Sequence, residues 1–373
     1  MARLSRRTSM RSKRAGSSPP PGGSNIGFGI AAAPGDFFGK NSTQIDAILT
    51  DYQYLGMKWS RIAIDWPNVQ STQGGPYNWS SYDTLLNRLA AKNIRPIILC
   101  SGSTPWSRDP TTVPPAGWEA VVPPTLDYDG FASFCAAVAT RYAAQNPVLE
   151  IWNEPNIPSF WRPSPNVAGY TTMLKKAYTA IKTVQPDLIV ITAGLTLGWD
   201  DGTTIVATTF LAGIYSNGGQ GYFDGVGWHP YQWHNVGSAP YTPGGAADST
   251  QPWYQMYGTA NSARTQMTNN GDGAKKIWCT EYGAHTSFED QVSATDAQQA
   301  SLYTAAIQQW SSYTWSAAFN FYTFKDSAAY GGSSDNEKYF GLWLVTHTDG
   351  VTNSATEKPA VAAVKSAITA SGW

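Results

Sequence analysis

The chain has 373 residues, enough to bury a large core, and an α/β barrel of this length commonly forms one domain. Its 25 lysines and arginines nearly balance its 26 aspartates and glutamates, and only 14% of its residues are charged, which argues against a nucleic-acid surface. The 16 tryptophans and 20 tyrosines, with 35 glycines and 24 prolines, are typical of a carbohydrate cleft between long loops, although aromatic rings also fill cores.

Residues 1–24 differ in composition from the rest of the chain. The first 14 residues contain six lysines and arginines and no acidic residue, and the following ten are rich in serine, proline and glycine. No apolar run follows the basic residues, so the sequence predicts neither a secretory signal nor a membrane span here. The segment is predicted to be a disordered basic arm, or alternatively an arm that becomes ordered when it docks on another protein subunit.

From residue 25 onward, short apolar runs alternate with segments of helical periodicity. Strands are predicted at about 26–32, 59–64, 94–100, 148–154, 188–193, 223–228, 276–280 and 317–324. Helices are predicted at about 43–55, 81–92, 128–144, 167–184, 205–215, 253–267, 296–310 and 360–368. Strict alternation of eight strands and eight helices predicts a single (β/α)8 TIM barrel over residues 25–373. An open doubly wound sheet is the alternative, but the segment 31–35 lacks the glycine-rich phosphate loop expected there.

Two of the predicted strands end in a glutamate. The fourth strand runs into Asn153 and Glu154 and stops at Pro155, which has no N–H to donate to the ladder. The seventh strand ends in Glu281. The carboxyl ends of parallel strands carry the catalytic groups of α/β barrels, and cleavage of a glycosidic bond requires two carboxyl groups. The structural alternative is that each glutamate caps a helix or pairs with a lysine.

The sequence around both glutamates resembles a known group of enzymes. The segments Glu-Ile-Trp-Asn-Glu-Pro-Asn at 150–156 and Trp-Cys-Thr-Glu-Tyr-Gly at 278–283 are similar to those of clan A of the glycoside hydrolases. The resemblance covers roughly residues 25–370 and is strongest to family 39, with family 5 next. It implies a retaining mechanism in which Glu154 is the general acid/base and Glu281 is the nucleophile, and it implies that no cofactor is needed.

The same resemblance implies roles for four further residues. Arg61 matches the arginine near the nucleophile, Asn153 the residue that binds the sugar 2-hydroxyl, and His229 and Tyr231 line the cleft. Charge-assisted hydrogen bonds from Arg61 and Tyr231 would keep Glu281 ionised. The alternatives are that Arg61 is a buried structural partner and that His229 is bonded only to a loop.

Aromatic residues in the loops that follow the strands are further candidates for substrate binding. Trp106 lies after the third strand, and Tyr322 lies where many clan members carry a tryptophan near the end of the eighth strand. Other loop tryptophans either stack on sugars or pack in the protein: Trp118, Trp161, Trp199, Trp233 and Trp253. The long loops at about 232–251 and 326–340 are expected to shape the cleft.

The cysteines and histidines indicate neither a disulfide framework nor a metal site. Three cysteines are too few for a framework and form no zinc or redox pattern. The four histidines lack a metal-binding spacing. Glu281 and His285 are four residues apart, but Gly283 between them favours a loop over a ligand-bearing helix.

The sequence therefore predicts a retaining glycosidase that cleaves a polysaccharide, such as a bacterial cell-envelope glycan. Transglycosylation would use the same residues. The alternative from another class is a catalytically weak carbohydrate-binding or structural component of a larger particle such as a phage tail. Delivery on a virion, with the basic arm as the attachment, would reconcile a glycan substrate with the absence of an export signal. A cytoplasmic enzyme or non-classical export are the alternatives.

Overall fold

The computed structural model describes residues 26–112, 121–231, 248–286, 294–327, 336–344 and 357–373. Eight parallel strands form a closed barrel in which each strand pairs with the next and the eighth pairs with the first. The strands are β1 (Phe28–Ala31), β2 (Trp59–Asp65), β3 (Arg95–Ser101), β4 (Val148–Asn153), β5 (Ile189–Gly194), β6 (Gly225–Trp228), β7 (Lys276–Tyr282) and β8 (Ser316–Phe321). The (β/α)8 barrel predicted from the sequence is confirmed. The basic arm at 1–24 lies outside the described residues.

Helices follow the strands and cover the outside of the barrel. They are α1 (Pro34–Phe37), α2 (Ser42–Leu55), α3 (Trp66–Val69), α4 (Ser80–Ala91), α5 (Tyr128–Arg141), α6 (Val167–Val184), α7 (Ala207–Ser216), α8 (Pro252–Gln255), α9 (Ala263–Asn269), α10 (Asp296–Ser312) and α11 (Pro359–Ser371). Among the described residues, no helix combines the length and the apolar character needed to cross a membrane.

One predicted helix is wrong in its extent. The segment 253–267 forms the two short helices α8 and α9 instead of one long helix. Ser262 begins α9, because its side chain accepts a hydrogen bond from the Thr265 amide and satisfies a free N–H of the first turn. Gly258 lies in the break, and a Cβ there would approach the Tyr254 ring to 2.0 Å. The apolar spacing continues across the break, so periodicity alone did not reveal it.

The interior of the barrel contains an apolar layer and, above it, a layer of polar side chains. Near the amino ends of the strands, an apolar cluster that includes Trp59, Val148 and Trp278 fills the barrel. The side chains two residues further along these strands point to the same side, because the strand period is two. Those next positions are Arg61, Glu150 and Thr280. The residues above the apolar cluster are therefore polar, and they form the floor of the carboxyl-terminal face.

Candidate active site

The two glutamates predicted to be catalytic lie together at the carboxyl end of the barrel. Glu154 directly follows β4, and Glu281 is the second-last residue of β7. Both are largely buried, with side chains 10% and 14% exposed. One oxygen of each carboxyl group lies within 4.8 Å of the other, with a ring nitrogen of His229 inside the same distance. The barrel therefore brings together carboxyl groups that are 127 residues apart in sequence.

Arg61 connects three acceptors on the barrel floor. Its Nε donates to Glu150 Oε2 at 2.5 Å, one terminal nitrogen donates to Glu281 Oε1 at 2.5 Å, and the other donates to Asn153 Oδ1 at 2.7 Å. The planar guanidinium presents donors in fixed directions, so one side chain orients all three partners. Arg61 is 6% exposed, and each of its nitrogens has a protein partner.

The environment of Glu281 favours its ionised form. Burial alone would raise the pKa of this carboxyl group. The positive charges of His229 and Arg61, and hydrogen bonds from Tyr231 and Arg61, outweigh burial and lower the pKa of Glu281 below its usual value of 4.5. The Tyr231 hydroxyl donates to Glu281 Oε2 at 3.0 Å. Glu281 is therefore a carboxylate, with both oxygens oriented, throughout the neutral pH range.

Glu154 is held by an unusual backbone turn and by His229. Trp152 and Glu154 have φ angles of 72° and 40°, in the left-handed region that residues other than glycine rarely occupy. The Glu154 amide donates to the Gly194 carbonyl at 3.1 Å, and Glu154 Oε1 lies 2.7 Å from His229 Nδ1. Backbone conformations of this kind cost free energy and are concentrated at functional sites. The turn directs the Glu154 carboxyl group toward Glu281 and away from the strand ladder.

His229 lies completely buried between the two glutamates. Its Nδ1 is 2.7 Å from Glu154 Oε1 and 3.7 Å from Glu281 Oε2, and its Nε2 is 3.0 Å from Thr280 Oγ1. Burial lowers the pKa of the imidazole, but the negative charge of Glu281 and the hydrogen bond to Glu154 raise this pKa above 6.5 overall. His229 is thus bonded to a candidate catalytic residue, and not only to a loop.

Two residues of this network were not identified from the sequence. Glu150 is fully buried on β4, and its Oε1 accepts hydrogen bonds from the Gly194 amide and from Thr280 Oγ1, both at 2.9 Å. Thr280 directly precedes Glu281 on β7. Glu150 could have been identified from the sequence, because it is a charged residue within an otherwise apolar strand. Thr280 carried no comparable signal, since a threonine is ordinary in a strand.

Gly194 is required at the end of β5 by the close approach of His229. A Cβ at this position would lie 2.1 Å from His229 Nε2 and 2.6 Å from Thr280 Oγ1. Gly194→Ala is expected to displace the imidazole and to lower kcat/KM by at least about 100-fold, because small displacements of catalytic groups have effects of this size. For the glycosidase predicted from the sequence, steady-state hydrolysis rates measure this effect.

The matched control for Gly194→Ala is Gly273→Ala, at the amino end of β7. A Cβ there meets nothing closer than 3.5 Å. This control should keep wild-type activity. Equal activity of the Gly194 variant and wild type, with both proteins folded by circular dichroism, would contradict the proposed position of His229.

The predicted aromatic residues differ in how far they are exposed. Tyr322 is half-buried, its hydroxyl donates to Glu337 Oε2 at 3.2 Å, and its ring contacts Phe340. Trp106 is half-buried against Trp66. Trp161 and Trp253 are 2% and 1% exposed and pack in the core, so they are not available to sugars. Trp199 is 57% exposed. Trp118, Trp233 and most of the two long predicted loops lie outside the described residues.

Glu154, His229 and Glu281 also satisfy the spacing of three metal ligands. Both oxygens of Glu281 already accept hydrogen bonds, from Arg61 and from Tyr231. Glu281 Oε1 is paired with the Arg61 guanidinium, and His229 Nδ1 is bonded to Glu154. A cation at this position would lie beside a permanently charged arginine, so we assign no metal to it.

No protein-family model matches the chain. A β-xylosidase of Geobacillus stearothermophilus is 28% identical in an alignment 127 residues long that covers 30% of this chain and 23% of that protein. The present chain thus matches about a quarter of the length of this curated relative.

Solved structures share the fold over most of this chain. A family 39 glycoside hydrolase from Bacteroides cellulosilyticus WH2 has a TM-score of 0.66 and 18% identity over 92% of this chain and 63% of its own. A family 39 β-xylosidase from Caulobacter crescentus has a TM-score of 0.60 and 18% identity, covering 92% and 70%. A GH5_18 protein from Bifidobacterium longum subsp. infantis has a TM-score of 0.63 and 14% identity, covering 92% and 79%. At these identities the similarity establishes the barrel fold.

Proposed function

We propose that the protein is a retaining glycoside hydrolase of clan A, similar to family 39. The observation that carries the proposal is the pair Glu154 and Glu281. One oxygen of each carboxyl group lies within 4.8 Å of the other, and Glu281 is paired with Arg61 whereas Glu154 is paired with His229. Retaining enzymes hold their two carboxyl groups about 5 to 5.5 Å apart, whereas inverting enzymes need about 6.5 to 9.5 Å to admit a water molecule. The neighbours named above, two of which are called family 39 proteins, support the same assignment.

In the first half-reaction, Glu281 acts as the nucleophile. One of its oxygens attacks the anomeric carbon while the bond from that carbon to the leaving oxygen breaks. Glu154 transfers its proton to the leaving oxygen, so the first product departs as an alcohol. Arg61 and Tyr231 hold Glu281 ionised and oriented for this attack. We assign to Asn153, whose Oδ1 accepts a hydrogen bond from Arg61, the hydrogen bond to the sugar hydroxyl next to the anomeric carbon.

In the second half-reaction, water replaces the leaving group. Glu154, now a carboxylate, takes a proton from the water as its oxygen attacks the anomeric carbon. The bond between that carbon and Glu281 breaks, which restores both carboxyl groups and completes hydrolysis with retained configuration. A sugar hydroxyl in place of water would give transglycosylation by the same residues.

The substrate that we propose is an oligosaccharide or polysaccharide, and Trp199 supports this proposal. Trp199 lies in the loop between β5 and α7, on the face that carries the site. The Trp199 amide donates to Thr204 Oγ1. The loop is also bonded to Asn156, whose side chain donates to the carbonyls of Thr196 and Ile205. Asn156 is two residues from Glu154. The backbone of the loop is held by these hydrogen bonds, and an exposed indole on it is suited to stack on a sugar ring.

Trp199→Ala is expected to lower kcat/KM for a long oligosaccharide by about tenfold, which corresponds to ~1.4 kcal/mol. A small aryl glycoside should lose much less activity, because it does not extend to the indole. Trp199→Phe retains an aromatic face and should recover part of the loss. Equal losses for the long and the short substrate would contradict a stacking role.

The proposed activity is tested by reducing-end release from a panel of plant and bacterial-envelope polysaccharides. Proton NMR of the first product formed gives its anomeric configuration. Release of a product with retained configuration would support the proposal, and an inverted product would contradict it. Binding to a glycan without any release would favour the alternative of a catalytically weak carbohydrate-binding component.

A bacterial cell-envelope glycan as substrate, and delivery on a particle such as a phage tail, remain proposals based on composition. The six lysines and arginines among the first 14 residues of segment 1–24 support an arm that docks on another subunit. Removal of residues 1–24 should leave hydrolysis of a soluble glycan intact and abolish incorporation into the particle. A truncated protein that assembles normally would contradict docking by this arm.

A further inference from the structure

A continuous line of four polar side chains crosses the barrel floor. It runs from Glu150 through Thr280 and His229 to Glu154, with successive heavy-atom distances of 2.9, 3.0 and 2.7 Å. The first three of these side chains are fully buried, so water does not supply alternative partners for them. The number of protons along the line therefore decides which atoms donate and which accept.

The contacts of Glu150 determine which atoms along the line donate hydrogen bonds and which accept them. Glu150 Oε2 is paired with the Arg61 guanidinium at 2.5 Å, and its Oε1 receives the Gly194 amide at 2.9 Å. A buried carboxylate beside an arginine is acceptor-only, so the Thr280 hydroxyl must donate to Glu150. A hydroxyl has one proton. The Thr280 oxygen is then the acceptor for His229, and His229 Nε2 carries a hydrogen.

The remaining ring nitrogen faces Glu154. If His229 were neutral, its Nδ1 would be a hydrogen-bond acceptor, and the proton of Glu154 would be engaged in the hydrogen bond to Nδ1. If His229 is an imidazolium, Nδ1 donates to Glu154 Oε1, and the other Glu154 oxygen is free to carry the proton for the leaving group. The second arrangement also makes the buried cluster neutral, because Arg61 and His229 then balance the carboxylates of Glu150 and Glu281.

We propose that His229 acts as an imidazolium in the resting protein, and that Thr280 and Glu150 are positioning residues that hold its Nε2 proton. The proposal rests on the function proposed above for Glu154 and Glu281. The charged and titratable groups around the ring are Glu154, Glu281, Arg61 and Tyr231, and Glu150 is connected to the ring through Thr280.

A stationary cation at this position serves both half-reactions. In the resting state the negative charge is on Glu281, 3.7 Å from His229 Nδ1. Once Glu281 is esterified and Glu154 has given up its proton, the negative charge is on Glu154, 2.7 Å from the same nitrogen. One carboxylate therefore faces the imidazolium in each state. The charge that moves between the glutamates stays paired, and no proton has to enter the buried site from solvent.

The proposal is tested by NMR of the protein with ¹⁵N-labelled histidine, which does not require a substrate. Comparison with His229→Gln assigns the two ring nitrogens of His229, and a pH titration follows their protonation. Both nitrogens are expected to be protonated at pH 7. Thr280→Val removes the acceptor of the Nε2 hydrogen and should lower the His229 midpoint by about one pH unit, since hydrogen bonds to charged groups have this strength.

Thr280→Ser is the matched control, because it retains the hydroxyl and should restore the wild-type midpoint. His285, which is buried against Phe340, is an internal control whose resonances should not move. A wild-type ring that is neutral at pH 7, or a midpoint unaffected by Thr280→Val, would overturn the proposal.

Kinetics add a second readout where hydrolysis is measurable. In Thr280→Val, the basic limb of the kcat/KM profile should move to lower pH, in the same direction as the NMR midpoint, and Thr280→Ser should reverse the movement. A failure to detect any hydrolysis would count against the proposed function alone, since the NMR result stands without it.

Discussion

Glu281→Gln is expected to abolish hydrolysis, with a loss of kcat on the order of 10⁴-fold or more. The amide is isosteric with the carboxylate and still accepts a hydrogen bond from Arg61, so the fold should be unchanged. The amide does not attack the anomeric carbon, and no glycosyl–enzyme intermediate forms. Initial rates on an aryl glycoside, together with the thermal unfolding midpoint, separate a chemical loss from a structural one.

The control for Glu281→Gln is Asp187→Asn, which also replaces a carboxylate by an amide. Asp187 is exposed and precedes β5, at the end of the barrel opposite the site. This control should retain the wild-type rate. In the wild-type protein, a slowly hydrolysed 2-fluoro glycoside should add its sugar mass to the peptide that contains Glu281. Mass on another peptide, or a Glu281→Gln variant with wild-type activity, would refute the nucleophile assignment.

At low pH, kcat/KM for the same reaction should fall as Glu281 becomes protonated. The pKa of Glu281 in the folded protein is lowered, so this residue stays ionised below pH 4.5 and loses its charge only under more acidic conditions. Its ion pair with Arg61 contributes stability that is present above its unfolded pKa and is lost as the pH falls through the folded pKa. The acid limb of kcat/KM should therefore lie below pH 4.5.

The sequence was sufficient to predict the barrel and the position of the two glutamates. Strand periodicity and a proline stop place Glu154 at a strand end, and parallel topology then brings Glu281 to the same face. The hydrogen bonds within the site could not be predicted in this way. Arg61 contacts residues 89, 92 and 220 positions away, and those contacts depend on the register of the strands around the closed barrel.

The burial of the loop tryptophans could not be predicted from the sequence. Trp161, Trp199 and Trp253 all follow strands in sequence, yet two are core residues and one is exposed. Trp161 packs edge-on against Trp152 and Tyr170, a contact set by the path of the loop after β4. Composition correctly indicates abundant rings, but burial depends on loop conformation, for which a single sequence contains little information.

Replacing Glu154 should have an effect that depends on the leaving group, and this dependence distinguishes a general acid from a structural carboxyl group. With an oligosaccharide, whose leaving oxygen needs a proton, Glu154→Gln should lower kcat/KM by about 10²- to 10⁴-fold. With a dinitrophenyl glycoside, whose leaving group departs without protonation, kcat/KM should fall far less. The second half-reaction still lacks its base, so a burst of dinitrophenol followed by slow turnover is expected in stopped-flow measurements.

Azide provides the complementary test in Glu154→Ala, where the shorter side chain leaves space beside the anomeric carbon. The small anion needs no general base, so it should restore turnover of the dinitrophenyl glycoside and give a glycosyl azide of retained configuration. In Glu281→Ala the same anion would instead attack in place of the nucleophile and give the inverted azide. The configurations of the two products therefore assign the two glutamates independently. Equal losses on both substrates, with no azide product, would mean that Glu154 is not the acid, even though His229 Nδ1 lies 2.7 Å from it.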